Sequence, residues 1–417
     1  MVAFARGAIR GEIGVPGDKS ISHRALILSA LAPEPLHITN LNPGRDVHAT
    51  QRGLAVLRQA QHDSAERRDT CEIDCMNSGS TARMLLGVCA GADLRARFDG
   101  DASLRRRPME PVAAQLRAFG ARIETTEGKL PLEIRGRDDV QTRHFILLSP
   151  SAQVKSALLF AALYAGVSID ITGDAGSRDH TERLLHYEGA DIQWDGGSIA
   201  LSAAPTRRDP IDVAGDFSAA AFFITAATVS PNSDVLIRDV GVNPTRTGLL
   251  DALRRMGANI ELRNERERCG ELIADVAVRH AMLRGVAVDE SLALRAIDEI
   301  PLLAVAAAFA AGETTIAGIG DLRTKESDRI AAVEQLLAAV GFETRALARG
   351  LTIRGGSPAA TGAIVASHGD HRIAMAAAVL ATAAGPLEID DAESVDVSFP
   401  GFLARLERAR ERRPART

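Results

Sequence analysis

Lysine is nearly absent from this chain: of 49 basic residues only Lys19, Lys129, Lys155 and Lys325 are lysines, and the rest are arginines. Where arginine supplies ordinary positive charge, a retained lysine is a candidate for a compact, titratable ammonium, although chance explains any single one equally well. Lys129, in the turn-like EGKLP, reads as incidental. Aromatic residues are also scarce, at 4% with one Trp and two Tyr, and 54 acids leave a net charge of −5. Neither a basic excess nor a set of stacking side chains therefore points to nucleic acid. The only cysteines, Cys71, Cys75, Cys89 and Cys269, form no CxxC pair and read as reduced thiols of a cytoplasmic protein. No run approaches the ~18 apolar residues that a membrane helix needs. The opening MVAFARGAIRGEIGVPG lacks the charged, apolar and cleavage-site progression of an export signal. GxxxxGK[ST], GxGxxG and GxSxG are absent, which excludes a P-loop, a dinucleotide fingerprint and a nucleophile elbow.

What is present is a globular composition, 46% hydrophobic and 25% charged over 417 residues, with length for two or three domains. The chain is also repetitive. Six segments open on polar or charged residues, run into an Ala- and Leu-rich helical stretch, turn, and end β-like. They begin at Lys19, Asn77, Ser151, Asp216, Asp298 and Asp370, at separations of 58, 74, 65, 82 and 72 residues. A second marker is glycine between a helical stretch and a strand, at Gly120, Gly189, Gly257 and Gly341, where a left-handed C-cap is needed. A helix without a polar face must be buried on all sides. Six such helices, three per half, predict an α+β fold of two similar domains with helices inside and sheets outside. SPNSD, at the break near Thr228 to Asn232, sets the expected domains at 16–229 and at 1–15 plus 230–417. The first strand, Ala8 to Val15, has no partner in its own repeat and is expected to pair with the C-terminal half.

Chemistry concentrates where the helices start. Capping of free backbone donors explains Asp216 and Ser151 and offers one reading of Asp298. Lys19, Arg24 and Arg372 are not, because a cation near a helix N-terminus opposes the macrodipole unless an anion sits beside it. The second helix of each repeat again begins with basic residues: Arg105 to Arg107, Arg178, Arg246, and Lys325 with Arg329. Each alone is more readily a surface salt-bridge partner. Recurring at equivalent positions, they favour a polyanionic ligand gathered between the halves. Asp298 and Glu326 keep two carboxylates among these cations, which suits proton transfer, with structural ion pairing as the alternative. His368 and His371 have no third ligand nearby in the sequence, so no metal site is expected.

The segments PGDKSISHRALILSAL, NSGSTAR, RRRPM, SAQVKSALL, DEIP, RTKESDRI and GDHRIAMA, in order from Pro16 to Phe402, resemble the signatures of one enolpyruvyl transferase family. That family is the 5-enolpyruvylshikimate-3-phosphate synthases, or 3-phosphoshikimate 1-carboxyvinyltransferases. The resemblance implies two domains, each of three βαβαββ units in an inside-out α/β barrel, with the active site in the cleft between them. It implies transfer of the enolpyruvyl group of phosphoenolpyruvate to the 5-hydroxyl of shikimate 3-phosphate, releasing phosphate, with no metal or organic cofactor. The even charge distribution fits a monomer that has neither a nucleic-acid nor a membrane partner.

Carried over motif by motif, the resemblance gives Lys19 contacts to both substrates and a part in proton traffic. Ser20, Arg24, Ser151, Ala152, Gln153 and Ser177 or Arg178 would hold shikimate 3-phosphate, with Asp298 and Lys325 beside them. Asn77, Gly79, Arg107, Gln153, Arg329 and Arg372, with Lys19, would grip phosphoenolpyruvate. Asp298 would take the 5-hydroxyl proton, and Lys325 with Glu326, and His371 at lower rank, would serve the enolpyruvyl carbon. Ala152, His180, Asp321 and Val397 depart from the best-known branch and look more like a second, Gram-positive-style branch. A related transferase acting on UDP-N-acetylglucosamine uses a reactive loop cysteine, whereas the GDASLRRRPM loop here has none.

Overall fold

The computed structural model describes residues 2–411 except 33, 63–69, 93, 137, 138, 141, 175, 360 and 361. It separates into two compact units. One comprises Lys19–Val213 and Arg268–Glu271; the other comprises Met1–Asp18, Ala214–Glu267 and Leu272–Thr417. Each holds three of the six apolar helices, Lys19–Leu31, Gly79–Gly91 and Ala152–Ala165 in the first, and Phe217–Val229, Ile300–Ala308 and His371–Ala384 in the second. Every residue of the three helices in the second unit is buried, as helices without a polar face require.

The repeat is visible as a strand, a buried helix, a parallel strand, an amphipathic helix and a hairpin. In one copy Arg95–Asp99 lies between parallel Cys71–Asp74 and antiparallel Lys129–Arg135, with Arg122–Thr126 at the edge. Glu110–Phe119 is that copy's second helix. Three further four-stranded sheets repeat this order, centred on Ile169–Thr172, Asp234–Gly241 and Glu313–Ala317. Two copies are abbreviated among the described residues. One is the parallel pair Ile38–Thr39 with Ile211–Asp212, the other the sheet of Val2–Phe4, Leu387–Ile389 and Ala363–Val365.

The cut between the units falls at Val213 and Ala214, not at 229/230. Phe217–Val229 packs against Ile300–Ala308 and His371–Ala384, so it belongs with them. The SPNSD break is the turn from that helix into its own repeat's strand, Asp234–Gly241. Counting three helices per half places the cut before the fourth helix, which is where it lies. Arg10–Gly14 pairs in parallel with Asp234–Gly241, supplying the strand that this repeat lacks in sequence order. Gly257 ends Gly248–Met256 at φ 98°, donating to the carbonyls of Leu253 and Arg254, as the glycine marker requires.

Small residues let the Gly79 and Ala152 helices approach closely. A Cβ at Gly87 would stand 2.1 Å from the Ala157 carbonyl oxygen, and one at Gly91 2.3 Å from that of Ala161. Buried polar side chains of the same unit are linked in a chain. His23 Nδ1 pairs with Thr50 Oγ1 at 2.7 Å, Thr50 with Thr81 at 2.7 Å, and Thr81 with Ser78 at 2.7 Å. His23 is fully buried, and burial pushes its imidazole down to about 3.

Gly87→Ala should destabilise the protein even though alanine gains about 1 kcal/mol of helix propensity. Overpacking against backbone costs about 1–3 kcal/mol, and a denaturant titration showing a gain would mean that the helices are not in contact there. His23 supplies a pH signature. Its folded pKa lies below its unfolded value of about 6.5, so the unfolded chain takes up the proton first. Its contribution is complete above that value and is lost as pH falls through 6.5 towards 3, by about 2 kcal/mol at pH 5. Unfolding free energies at pH 7 and pH 5 should differ less in His23→Gln than in the parent chain.

Candidate active site

In the Lys19–Val213 unit the helix starts bring cations and hydroxyls together. Lys19 is half-buried, its ammonium 2.7 Å from Asp46 Oδ2 on the helix Arg45–His62. Arg24, one turn on, is buried and donates to Thr181 Oγ1 at 2.6 Å, Ser156 Oγ at 2.8 Å and the Ser20 carbonyl at 2.8 Å. The Ala152 carbonyl lies 3.5 Å from its second Nη. Arg24 thus joins the Lys19 and Ala152 helices to His180–Tyr187 through neutral acceptors.

The Gly79 helix begins with Ser78, whose hydroxyl accepts from the Thr81 amide. A Cβ at Gly79 would stand 2.6 Å from Arg83 Nη1 and 2.8 Å from Arg107 Nη1, so glycine is what lets two guanidiniums crowd this N-terminus. Arg83 donates to Gln153 Oε1 at 2.9 Å and to the Pro108 carbonyl at 2.8 Å, while Gln153 Nε2 donates to Ser80 Oγ at 3.0 Å. Asn77 is turned to Asp101, 2.7 Å away. Two guanidiniums and the free donors of a helix start make an anion cradle. Arg83 was not singled out in the sequence. Its position one turn after Gly79 on the same helix is the signal that locates it.

Ser151 caps the third helix, accepting from the Val154 amide. Its own amide donates to Asp174 Oδ1 at 3.0 Å, and Asp174 Oδ2 accepts from Ser177 Oγ at 2.7 Å. Lys155 is buried between Asp174 and Glu182, each at 2.7 Å. Burial pushes the Glu182 carboxyl up, against the pull of Lys155. Lys155 is therefore a structural cation that fixes the segment bearing Ser151 and Ser177. Arg178 stands half-buried beside them. His180, at a position where the sequence departs from the better-known branch, is buried with Nδ1 2.7 Å from Glu271 Oε1.

The other unit carries a denser charge network. Asp298, with 19% of its side chain exposed, has Arg329 Nη1 and Arg372 Nη2 at 3.7 Å and Arg246 Nη1 at 4.0 Å. Arg329 is buried and committed to acids: Nε to Asp370 Oδ2 at 2.8 Å and Nη2 to Glu326 Oε2 at 2.6 Å. Burial works against the charges of Arg246 and Arg329, but the carboxylates around them outweigh it and raise both. Asp370 is buried too; burial disfavours its ionised form, yet Arg329 holds it below the usual carboxylate range. It also caps the His371 helix through the Arg372 amide. Asp298 is not a cap: the Ile300 helix starts one residue later than the sequence reading, with Glu299 at its N-cap and no side-chain cap bond. Lys325 is half-buried at the end of the turn Gly320–Thr324, next to Glu326. His371 is buried, and His368 pairs with Gln335 at 2.8 Å.

The residues expected at the site fall into two groups. Lys19, Ser20, Arg24, Asn77, Gly79, Arg107, Ser151, Ala152, Gln153, Ser177 and Arg178 belong to one unit. Asp298, Lys325, Glu326, Arg329 and Arg372 belong to the other. Arg246, noted in the sequence only as one of the recurring basic residues, is a full member of the Asp298 group. Cys89 is wholly buried and burial pushes its thiol up, which is the environment of an inert thiol.

The family described as EPSP synthase (3-phosphoshikimate 1-carboxyvinyltransferase) matches this chain over residues 5–406. The chain is 44% identical over 419 residues to a 3-phosphoshikimate 1-carboxyvinyltransferase of Desulforudis audaxviator, covering 96% of this chain and 97% of that protein. A protein of the same name from Alkalilimnicola ehrlichii is 44% identical, covering 95% and 92%. Among solved structures, an EPSP synthase from Acinetobacter baumannii superposes with a TM-score of 0.83 at 34% identity, over 98% of this chain and 97% of that one. The enolpyruvyl transferase NikO of Streptomyces tendae shares the fold at a TM-score of 0.74 and 18% identity, over 98% and 96%. Arrived at from the fold, from the two charge groups and from these relatives together, the conclusion is that the chain belongs to the EPSP synthase family.

Proposed function

We infer that this protein transfers the enolpyruvyl group of phosphoenolpyruvate to the 5-hydroxyl of shikimate 3-phosphate and releases phosphate, a step of the shikimate pathway. In that reaction the 5-hydroxyl oxygen bonds to C2 of phosphoenolpyruvate as C3 takes a proton. The tetrahedral adduct then loses a C3 proton and phosphate to leave the enol ether. Both substrates are polyanions, so the protein must supply positive charge, one group that accepts a proton and one that donates it.

The single observation that carries the reading is Asp298, an accessible carboxylate with three guanidiniums at 3.7–4.0 Å. Such a carboxylate accepts the 5-hydroxyl proton while the guanidiniums balance the charge that develops on phosphate as it leaves. Lys325, with Glu326, handles the proton at C3. Lys19 bridges the substrates, and Arg372, Arg329 and the Gly79 cradle with Arg107, Asn77 and Gln153 hold phosphoenolpyruvate. Ser20, Arg24, Ser151, the Ala152 backbone, Ser177 and Arg178 hold shikimate 3-phosphate, with Asp174 and Lys155 fixing the serines. A cytoplasmic monomer is the form that fits this reading; no helix among the described residues is long and apolar enough to cross a membrane.

Two measurements test the assignments. Asp298→Asn should lower turnover by about 10²–10⁴-fold, the range for loss of a general base, while shikimate 3-phosphate still binds by calorimetry. Turnover equal to the parent chain would remove Asp298 from its role. Arg24→Ala should raise KM for shikimate 3-phosphate and Arg372→Ala that for phosphoenolpyruvate, each by about 10–100-fold, as expected when a charged hydrogen bond is lost. Both substitutions acting on the same KM would refute the division.

A further inference from the structure

Two of the three arginines around Asp298 meet at one hydroxyl. Ser218, in the first turn of the Phe217 helix and 7% exposed, accepts from Arg246 Nη2 at 2.8 Å and from Arg372 Nη1 at 3.2 Å. Its own proton goes to Glu299 Oε1, on a side chain with no exposure at all. A serine hydroxyl has one donor and two acceptor lone pairs, so all its capacity is used and its rotor has one orientation. The two accepted bonds leave the proton nowhere to go but Glu299, and donating it in turn makes the hydroxyl oxygen a better partner for cations.

The arginines need this junction. Arg246 is buried, and its Nε and Nη1 make no hydrogen bond; its other neighbours are carboxylates at 3.4 Å (Asp216), 3.5 Å (Asp18) and 4.0 Å (Asp298). Ser218 is thus the closest group that it bonds. Arg372 has the Asp298 carbonyl at 2.9 Å and Glu299 Oε1 at 3.5 Å as its other anchors. Charge attraction at 3.5–4.0 Å draws guanidiniums towards acids without fixing their direction, whereas two hydrogen bonds to one oxygen fix the spacing of both.

Resting on the function read above, we propose that Ser218, with its proton held by Glu299, is a positioning residue that sets Arg246 and Arg372 beside Asp298 Oδ2. It touches neither substrate and acts through the two guanidiniums. Without it, each arginine has several carboxylates to choose from, and the cationic frame around Asp298 loosens.

Phosphate release by the full chain with shikimate 3-phosphate and phosphoenolpyruvate is the assay. Ser218→Ala should lower kcat/KM for phosphoenolpyruvate about 10–100-fold, through a lower kcat and a higher KM for phosphoenolpyruvate, with KM for shikimate 3-phosphate within about two-fold. Ser218→Thr, which keeps the hydroxyl, should restore most of the loss. In an Arg372→Ala background the same Ser218→Ala change should cost much less, because the two residues act as a unit. Ser218→Cys, which keeps the volume with weaker hydrogen bonds, is run beside these in case the alanine variant fails to fold, and should fall between parent and alanine. Parent-level kcat in Ser218→Ala or Ser218→Cys would overturn the proposal. So would failure of threonine to rescue, or losses that multiply in full in the double variant. A parent chain that releases no phosphate would instead sink the assigned reaction.

Discussion

An α-helix with no polar flank can meet polar chemistry only at its ends. This one constraint organises the protein. The three helices of the second unit are buried at every residue, so the unsatisfied amide donors of their first turns are where they meet polar chemistry. Sheets cover their flanks, and the residues that the chain can use for chemistry collect at the N-terminal turns. Ser78, Ser151, Asp216 and Asp370 satisfy those donors with their side chains. The cations beside them are what capping does not require.

Burying cations at the positive end of a dipole is unfavourable twice over, and the two units relieve it differently. In the Lys19 unit the lysines pair with acids, but the arginines also reach neutral acceptors: Arg24 two hydroxyls and a carbonyl, and Arg83 an amide and a carbonyl. Such groups can exchange partners with an incoming anion at small electrostatic cost, which suits recognition. In the Asp298 unit the relief is ionic: Arg246, Arg329 and Arg372 are surrounded by Asp18, Asp216, Asp298, Glu299, Glu326 and Asp370. The ion pairs concentrate charge, and with Ser218 bonded to both Arg246 and Arg372 the group holds its geometry, which suits proton transfer.

The architecture was largely legible because it repeats. Apolar runs, spacing and the glycines at helix ends each report the same unit, and the pattern of six helices survives any single misreading. The motifs likewise named the residues at helix starts. What escaped the sequence are partners brought together over long separations. Asp46 meets Lys19 across 27 residues, Asp174 meets Lys155 across 19, and Ser218 meets Arg372 across 154. None lies in a motif that announces chemistry. The misplaced cut has the same origin: SPNSD is a strong local break, but domain membership is decided by what Phe217–Val229 packs against.

Accessibility then separates the acids. Asp370 and Glu299 have no exposure, and each is occupied, the first by Arg329 and a helix cap, the second by Ser218. Glu326 is 15% exposed but holds Arg329 at 2.6 Å. A carboxylate in such a short ion pair must break it to accept the 5-hydroxyl proton itself, which leaves Glu326 its part beside Lys325. Asp298 has 19% exposure, and its ion pairs stand at 3.7–4.0 Å, beyond hydrogen-bonding distance. It has the benefit of three positive charges that these distances keep out of direct hydrogen bonding. An oxygen so placed can receive a hydroxyl proton while the surrounding guanidiniums stay where they are, and a general base needs that combination of open geometry and fixed field.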